Sequence, residues 1–178
     1  GLAEPSRSAP AVWAGLATPA QTAPDFVESG VRHPALLCSG CARERFDAVV
    51  PFAAFKAVGG GPAGPLAYLA NNLGGLLALC ETMKRHGTKT LVFSSSATVY
   101  GKPEHLPLAE DASLATTNPY GATKLMGAEL LGSVQNADPS WAIASLWYFN
   151  PVDSHAAGPT GSDPRGAPPH LPPCSPPA

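Results

Sequence analysis

The sequence predicts an α/β fold: an incomplete parallel sheet with flanking helices and irregular, Pro-rich ends. Three observations carry this expectation. Through the middle of the chain, short apolar runs alternate with amphipathic stretches at helical spacing, and such alternation favours parallel strands joined by right-handed crossovers. Residues 1 to about 44 are rich in Ala, Pro, Ser and Gly with no sustained period, a composition that reads as loop or disorder. Residues 151–178 carry Pro168, Pro169, Pro172, Pro173, Pro176 and Pro177, which forbid a helix or a central strand. The expected organisation is therefore an irregular segment over 1–44, an α/β domain over 45–150 and a Pro-rich segment over 151–178.

In chain order, Ala11-Val12-Trp13-Ala14-Gly15-Leu16 is an early run able to dock locally. Ala48-Val49-Val50, within Phe46–Phe52, reads as a short buried strand, and Pro51 is awkward there because a central strand needs its backbone N–H. Pro65 to Arg85 reads as a helix, with Pro65 suited to the first turn and Gly87 to the residue past the end. Leu66, Leu69, Leu73, Leu76, Leu77, Cys80 and Met83 form its apolar stripe. Gly74-Gly75 in mid-helix costs roughly 1 kcal/mol per Gly against Ala, so packing must support it. Thr90-Leu91-Val92-Phe93 reads as a fully buried strand. Asn118 is placed to cap a helix from Pro119 to about Val134, and Trp141 to Phe149 reads as a third strand. Ligands of such sheets bind outside the carboxyl ends of the strands, where the Ser run after Phe93 and Asn150-Pro151 fall.

Bulk properties exclude several function classes. The net charge of −2 gives no electrostatic argument for nucleic acid or an anionic membrane. Charged residues make up 13% of the chain, against about 25% usually. No apolar run is long enough for a transmembrane helix, and the N-terminus does not read as a signal peptide. A start at Gly1 reads as a fragment or a processed chain. Cys38-Ser-Gly-Cys41 is a C-x-x-C pair, but neither His33 nor Cys80 completes a zinc pattern. A redox site would need the pair at a strand-to-helix junction, so the expectation is incidental thiols in an irregular segment. With no disulfide framework, the expected compartment is reducing and cytoplasmic.

The chemistry-bearing motif is Tyr120-Gly121-Ala122-Thr123-Lys124. A Tyr and a Lys four apart lie on one helix face. The ammonium is expected to stabilise the phenolate, lowering the Tyr pKa from near 10 so that it can act as base or acid on a substrate hydroxyl. Alone the spacing is weak, since surface Tyr–Lys pairs arise by chance. Its context is Ser94-Ser95-Ser96-Ala97-Thr98-Val99-Tyr100 after a buried strand, where a hydroxyl can reach the same substrate oxygen; by itself such a run is a polar turn.

Phe93 to Gly101, then Asn118-Pro119-Tyr120-Gly121 with Lys124, then Tyr148-Phe149-Asn150-Pro151, in that order, resemble the UDP-glucose 4-epimerases of the extended short-chain dehydrogenase/reductase superfamily. The likeness extends from about residue 45 to 173. It implies a Rossmann-like domain over 45–150, the start of a substrate region after it, and interconversion of UDP-glucose and UDP-galactose through a 4-keto intermediate with bound NAD. By the resemblance, Tyr120 takes the proton of the sugar 4-hydroxyl, Ser96 hydrogen-bonds the reacting oxygen, and Lys124 tunes Tyr120 and holds the nicotinamide ribose. Phe52, Ala53, Lys56, Asn72, Ser94 and Tyr148 match positions near NAD, together with Tyr120 and Lys124. Ser96, Tyr120 and Asn150 match positions that contact the UDP-sugar. The helices over 65–85 and 119–134 match a homodimer interface.

The chain also departs from that family. Residues 1–44 carry no Gly-rich turn for the cofactor pyrophosphate. Gly59-Gly60-Gly61-Pro62-Ala63-Gly64 fits G-x-G-x-x-G, but in the family register it lies in a later crossover. Pro51 replaces a His, Trp147 an Arg, and Pro169-His170 an Asn-Asn pair; Val152-Asp153-Ser154 alters the turn after Asn150. The family's C-terminal substrate domain is expected to be absent. These departures lead to the expectation that the chain as written is inactive. The alternative to an enzyme is then a catalytically silent remnant that serves as a dimerisation or interaction module. A further reading is a chain that barely folds because exposed sheet edges favour aggregation.

Overall fold

In the computed structural model the described residues are 27, 29–56 and 64–150. The chain divides into two units, one of Gly1–Ala3 with Glu28–Phe149, the other of Glu4–Val27 with Asn150–Ala178. Of the second unit only Val27 and Asn150 are described, and both are exposed. The run 11–16, the glycines at 59–61, the C-terminal prolines and Cys174 lie outside the described residues.

The first unit holds a two-stranded parallel sheet. Strand β1, Thr90–Ser96, pairs with β2, Ala142–Tyr148, in a register running from Thr90 opposite Ala142 to Ser96 opposite Tyr148. The strand expected within Phe46–Phe52 is reduced to a single parallel bridge between Val49 and Leu91. Val49 donates to Thr90 O and accepts from Val92 N, both at 3.0 Å. Along a strand the next residue facing the same neighbour is two on, which is Pro51, and it has no N–H to continue the ladder. The proline foreseen as awkward thus ends the pairing.

Helix α1, Pro34–Arg43, corrects the sequence expectation of an irregular segment through residue 44. Pro34 opens it, His33 O accepts from Leu36 N and Leu37 N, and the helix contains no buried residue. A helix without a buried stripe gives little periodic signal, and packing rather than propensity stabilises it. The expected helix over 65–85 is present but interrupted: α2, Pro65–Tyr68, a π turn over Leu69–Leu73, then α3, Gly74–His86. Gly75 supports the crowded helix, because an added Cβ would lie 2.8 Å from Val31 Cγ2. Gly87 ends α3 at φ +78, with Thr88 N donating to Met83 O at 3.0 Å, a left-handed cap of the kind glycine favours. Helix α4, Pro119–Ala137, begins where Asn118 Oδ1 accepts from Gly121 N at 2.7 Å. It runs one turn beyond the expected end and stops at Asp138, whose carboxylate takes Lys89 Nζ at 2.8 Å and the Ser140 hydroxyl at 2.6 Å.

The core lies between β1, α3 and α4: Leu76, Cys80, Met83, Leu91, Phe93, Leu131 and Trp141. Gly127 lets α4 sit close to it, since a Cβ there would meet Phe93 Cζ at 2.8 Å. No helix among the described residues is long and apolar enough to cross a membrane.

Candidate active site at the carboxyl edge of the sheet

The site is built where β1 ends and α4 begins. Ser96, the last residue of β1, caps a single 3₁₀ turn over Ala97–Tyr100. Its Oγ accepts from Thr98 N at 3.2 Å and from Thr98 Oγ1 at 3.0 Å. A hydroxyl has two acceptor sites and one proton, so Ser96 keeps its O–H for another oxygen. Thr98 also sets the approach of α4: an added Cβ on Gly121 would lie 2.9 Å from Thr98 O. Only glycine lets the first turn of α4 come this close, and that contact brings Tyr120 beside Ser96.

Lys124, one turn further along α4, is 7% exposed. Its Nζ donates to Ser94 O at 2.6 Å and lies 5.0 Å from the centroid of the Phe93 ring and 5.7 Å from that of Tyr120. Burial lowers its pKa from 10.5 to about 8. The Tyr120 pKa is raised, chiefly by burial, while the neighbouring Ser96 hydroxyl opposes the rise. This corrects the expectation that the ammonium brings Tyr120 down towards working pH. The Lys124 charge is committed to a backbone carbonyl and lies over the ring face, 5.7 Å from its centroid, and desolvation of the phenolate dominates.

Asn72 sits in the π turn, and its amide is fully used. Oδ1 accepts from Phe55 N at 2.8 Å and from Asn71 Nδ2 at 3.1 Å, while Nδ2 donates to Phe55 O at 2.9 Å and to Thr123 Oγ1 at 3.0 Å. Thr123 in turn donates to Tyr120 O at 2.8 Å. Asn72 therefore clamps the 51–56 segment to α4, with no hydrogen-bonding capacity left for a ligand. Ala53, Asn72, Thr123 and Lys124 line a cavity of about 30 Å³ with Pro51 and Phe93, the size of a water rather than a ring. Phe52 is 77% exposed and Lys56 is exposed.

Tyr148, opposite Ser96 in the β2 register, is half-exposed. With Leu146, Trp147, Phe149, Tyr100, Leu108 and Glu110 it lines an open cleft of about 560 Å³. Tyr100 packs edge-on to Trp147 at 5.2 Å between centroids. Ser94 Oγ is buried without a hydrogen-bond partner. Asn150 falls in the second unit and is exposed. The structure thus brings together Ser94, Ser96, Tyr120 and Lys124. It sets Ala53 and Asn72 behind them and leaves Phe52, Lys56 and Tyr148 facing solvent.

Sequence reasoning alone does not single out two residues of the site: Thr98, which orients Ser96, and Gly121, which admits α4. A hydroxyl two residues after a strand-end serine, ahead of a capped helix with glycine in its first turn, is the signal that could have found them.

This constellation coincides with a match of residues 4–171 to the NAD dependent epimerase/dehydratase family. The chain belongs to that family. Among curated epimerases it is 47% identical over 148 residues to UDP-glucose 4-epimerase of Bacillus subtilis strain 168, covering 83% of this chain and 44% of that protein. It is 50% identical over 131 residues to UDP-glucose 4-epimerase of Pisum sativum, covering 74% of this chain and 37% of that one. The chain therefore spans less than half the length of these curated relatives. Among solved structures, UDP-glucose 4-epimerase of Bifidobacterium longum in complex with NAD+ and UDP superposes with a TM-score of 0.84 at 42% identity, over 90% of this chain and 48% of that one. The enzyme from Stenotrophomonas maltophila, with bound NAD and formylated UDP-arabinopyranose, gives 0.87 at 39%, over 96% and 50%. The α/β architecture with parallel strands is thus the epimerase-family fold, present here in part.

Proposed function

We propose that the chain carries the proton-transfer site of an epimerase that interconverts UDP-glucose and UDP-galactose, with NAD as cofactor, over a domain spanning 45–150. The observation that carries this reading is the Lys124 Nζ to Ser94 O bond at 2.6 Å, which fixes the first turns of α4 over the end of β1 with Tyr120 against Ser96. The relatives bound to NAD and UDP support it. The residues present fit the reactive end of the cofactor: the unpartnered Ser94 Oγ and the Lys124 ammonium offer polar partners at the sheet edge, with Ala53 lining the same cavity as Lys124; Phe52 and Tyr148 are assigned to it on the family likeness. Asn72 does not fit a cofactor contact, because the Phe55 clamp consumes its amide. No described residue offers a pyrophosphate turn.

When bound, NAD supplies the acceptor and donor for hydride at sugar C4. Tyr120 holds the proton that leaves and returns at the 4-hydroxyl, and the free O–H of Ser96 donates to the reacting oxygen. Lys124 anchors α4 and offers its remaining N–H groups at the same edge. Because burial raises the Tyr120 pKa, base action needs added positive charge or hydrogen-bond donation at the phenolate, which ligand binding must bring. Asn150 is assigned to the UDP-sugar on the family likeness. We place the protein in the cytoplasm, with no nucleic-acid or membrane partner.

A second reading, a silent remnant that pairs through the helices over 65–85 and 119–134, has its own support. Leu66 is 80% exposed, Leu77 49% and Met126 37%, all on those helices. One experiment separates the two. The purified chain is incubated with NAD and UDP-galactose, UDP-glucose is measured, and bound nicotinamide is read by absorbance and fluorescence. Turnover that falls at least about 100-fold in Y120F supports the epimerase. Turnover undiminished in Y120F overturns the assignment of the base, and the absence of both nicotinamide and turnover leaves the remnant.

A further inference from the structure

The thiols of α1 belong to none of this chemistry. Cys38 and Cys41 stand three residues apart in one helix, a spacing that puts both on one face with Cβ atoms about 5–6 Å apart. At Cys38 that face meets α3: Arg85 Nη1 donates to Cys38 Sγ at 3.2 Å, and the sulfur lies 3.8 Å from Thr82 Oγ1. Both thiols are free and half-buried. We propose that Cys38 and Cys41 form a reversible thiol–disulfide site that exchanges with small-molecule disulfides, with Cys38 as the attacking sulfur.

The asymmetry comes from Arg85. Its guanidinium gives Cys38 a cation at hydrogen-bond distance, a geometry that favours attack by that sulfur. Among the described residues no cation is paired with Cys41, whose pKa is raised by burial and by the adjacent Cys38. It is the resolving thiol. A bridge needs Cβ atoms about 3.8 Å apart, closer than helical spacing, so the last turn of α1 must tighten. The local structure permits this. Cys41 lies in the last turn before Arg43, and nothing stands within 4 Å of a Cβ on the intervening Gly40. A bridge formed this way is strained and belongs to the readily reduced kind. The remaining described thiol, Cys80, is buried in the core with its pKa pushed up to about 11, and takes no part.

With oxidised glutathione as the small disulfide, the thiolate of Cys38 attacks one sulfur. A mixed disulfide forms and one glutathione thiolate leaves. Cys41, having given its proton to solvent, attacks Cys38 Sγ. The mixed bond breaks, the internal bridge forms, and the second glutathione thiolate leaves. Two electrons pass from the cysteine pair to glutathione disulfide, and the two thiol protons end, through solvent, on two glutathione thiols. The Cys38 sulfur turns away from Arg85 and Thr82, so α1 loosens from α3.

The test equilibrates the full chain in glutathione buffers of graded redox poise, traps it with N-ethylmaleimide and maps it with trypsin. Both cysteines fall in the peptide of residues 33–43. The expected result is a reversible loss of two hydrogens from that peptide, with C41S stopping at the Cys38 mixed disulfide. R85Q is expected to slow labelling of Cys38 about threefold and leave Cys41 unchanged, and R85K, which keeps the charge, should restore the rate. The proposal is overturned if the two thiols are only ever found reduced or separately glutathionylated. It is equally overturned if R85Q labels Cys38 at the wild-type rate.

Discussion

Two hydroxyls and two acceptor bonds decide what Ser96 can do. Thr98 fills both lone pairs of Ser96 Oγ from one side, so the serine proton is directed to the only kind of partner left, an oxygen at Tyr120 or on a ligand. That Ser96, Tyr120 and Lys124 come together was legible in the sequence, because one helical turn separates Tyr120 from Lys124 and Ser96 ends the preceding strand. The electrostatics were not, because desolvation is set by what packs around the site after folding. Lys124 shows the consequence. Its pKa falls from 10.5 to about 8, so between those values the folded chain holds fewer protons than the unfolded chain. Stability therefore rises with pH across that window, and the full cost of the buried charge is present below about pH 8. K124M is expected to stabilise the fold at pH 7 by at most about 3 kcal/mol. It should also abolish the upward slope of stability between pH 8 and 10.5. Urea midpoints measured across that range check both, and a lower midpoint at pH 7 for K124M would show that the Ser94 bond outweighs the desolvation.

At the scale of elements, the helices starting at Pro65 and Pro119 and strand β1 could be read ahead of the structure because their signals lie at their own ends and faces: Pro65, Gly87, Asn118 with Pro119, and the buried Leu76, Cys80 and Met83; α1, which buries no residue, could not. What could not be read is how elements lock together. The π turn over Leu69–Leu73 shifts the helical register by one residue and turns Asn72 towards the backbone of Phe55. No periodicity analysis reports such a turn: it leaves Leu66, at the head of the expected stripe, 80% exposed, while Leu76, Cys80 and Met83 beyond it are buried. Asn72 does there what the curtailed strand at Val49 does not: it holds the 51–56 segment against α4 by two backbone hydrogen bonds after Pro51 ends the ladder. N72A is expected to cost about 2 kcal/mol and to release the Phe55 amide to fast hydrogen exchange while the β1 amides stay protected. Unchanged protection at Phe55 would remove Asn72 from this role. The same clamp reaches Tyr120 through Thr123, so the element that secures the fold also steadies the proposed base.

Across the molecule, two of the places where the described residues leave apolar surface bear on association. One is on β2, where Leu146 is 41% exposed and Tyr148, two residues on and on the same side, 47%. The other is the pair of helices carrying Leu66, Leu77 and Met126. The segments are packed against each other through α2, the π turn and α4, so their exposed side chains belong to one continuous helical layer. A strand edge associates through unpaired backbone groups and gives open-ended assemblies, whereas a helical layer that meets its own copy closes into a dimer. The two surfaces therefore differ in the product they make, and mass distinguishes them. If the helical layer carries the association, the chain sediments as a dimer, L77E/M126E shifts it to the monomer mass, and L146E leaves the dimer intact. Light scattering across a concentration series reads all three. A dimer that persists in L77E/M126E rules out the helices as its interface. Growth to large species that L146E suppresses points to the edge of β2, the surface through which an incomplete sheet is expected to aggregate.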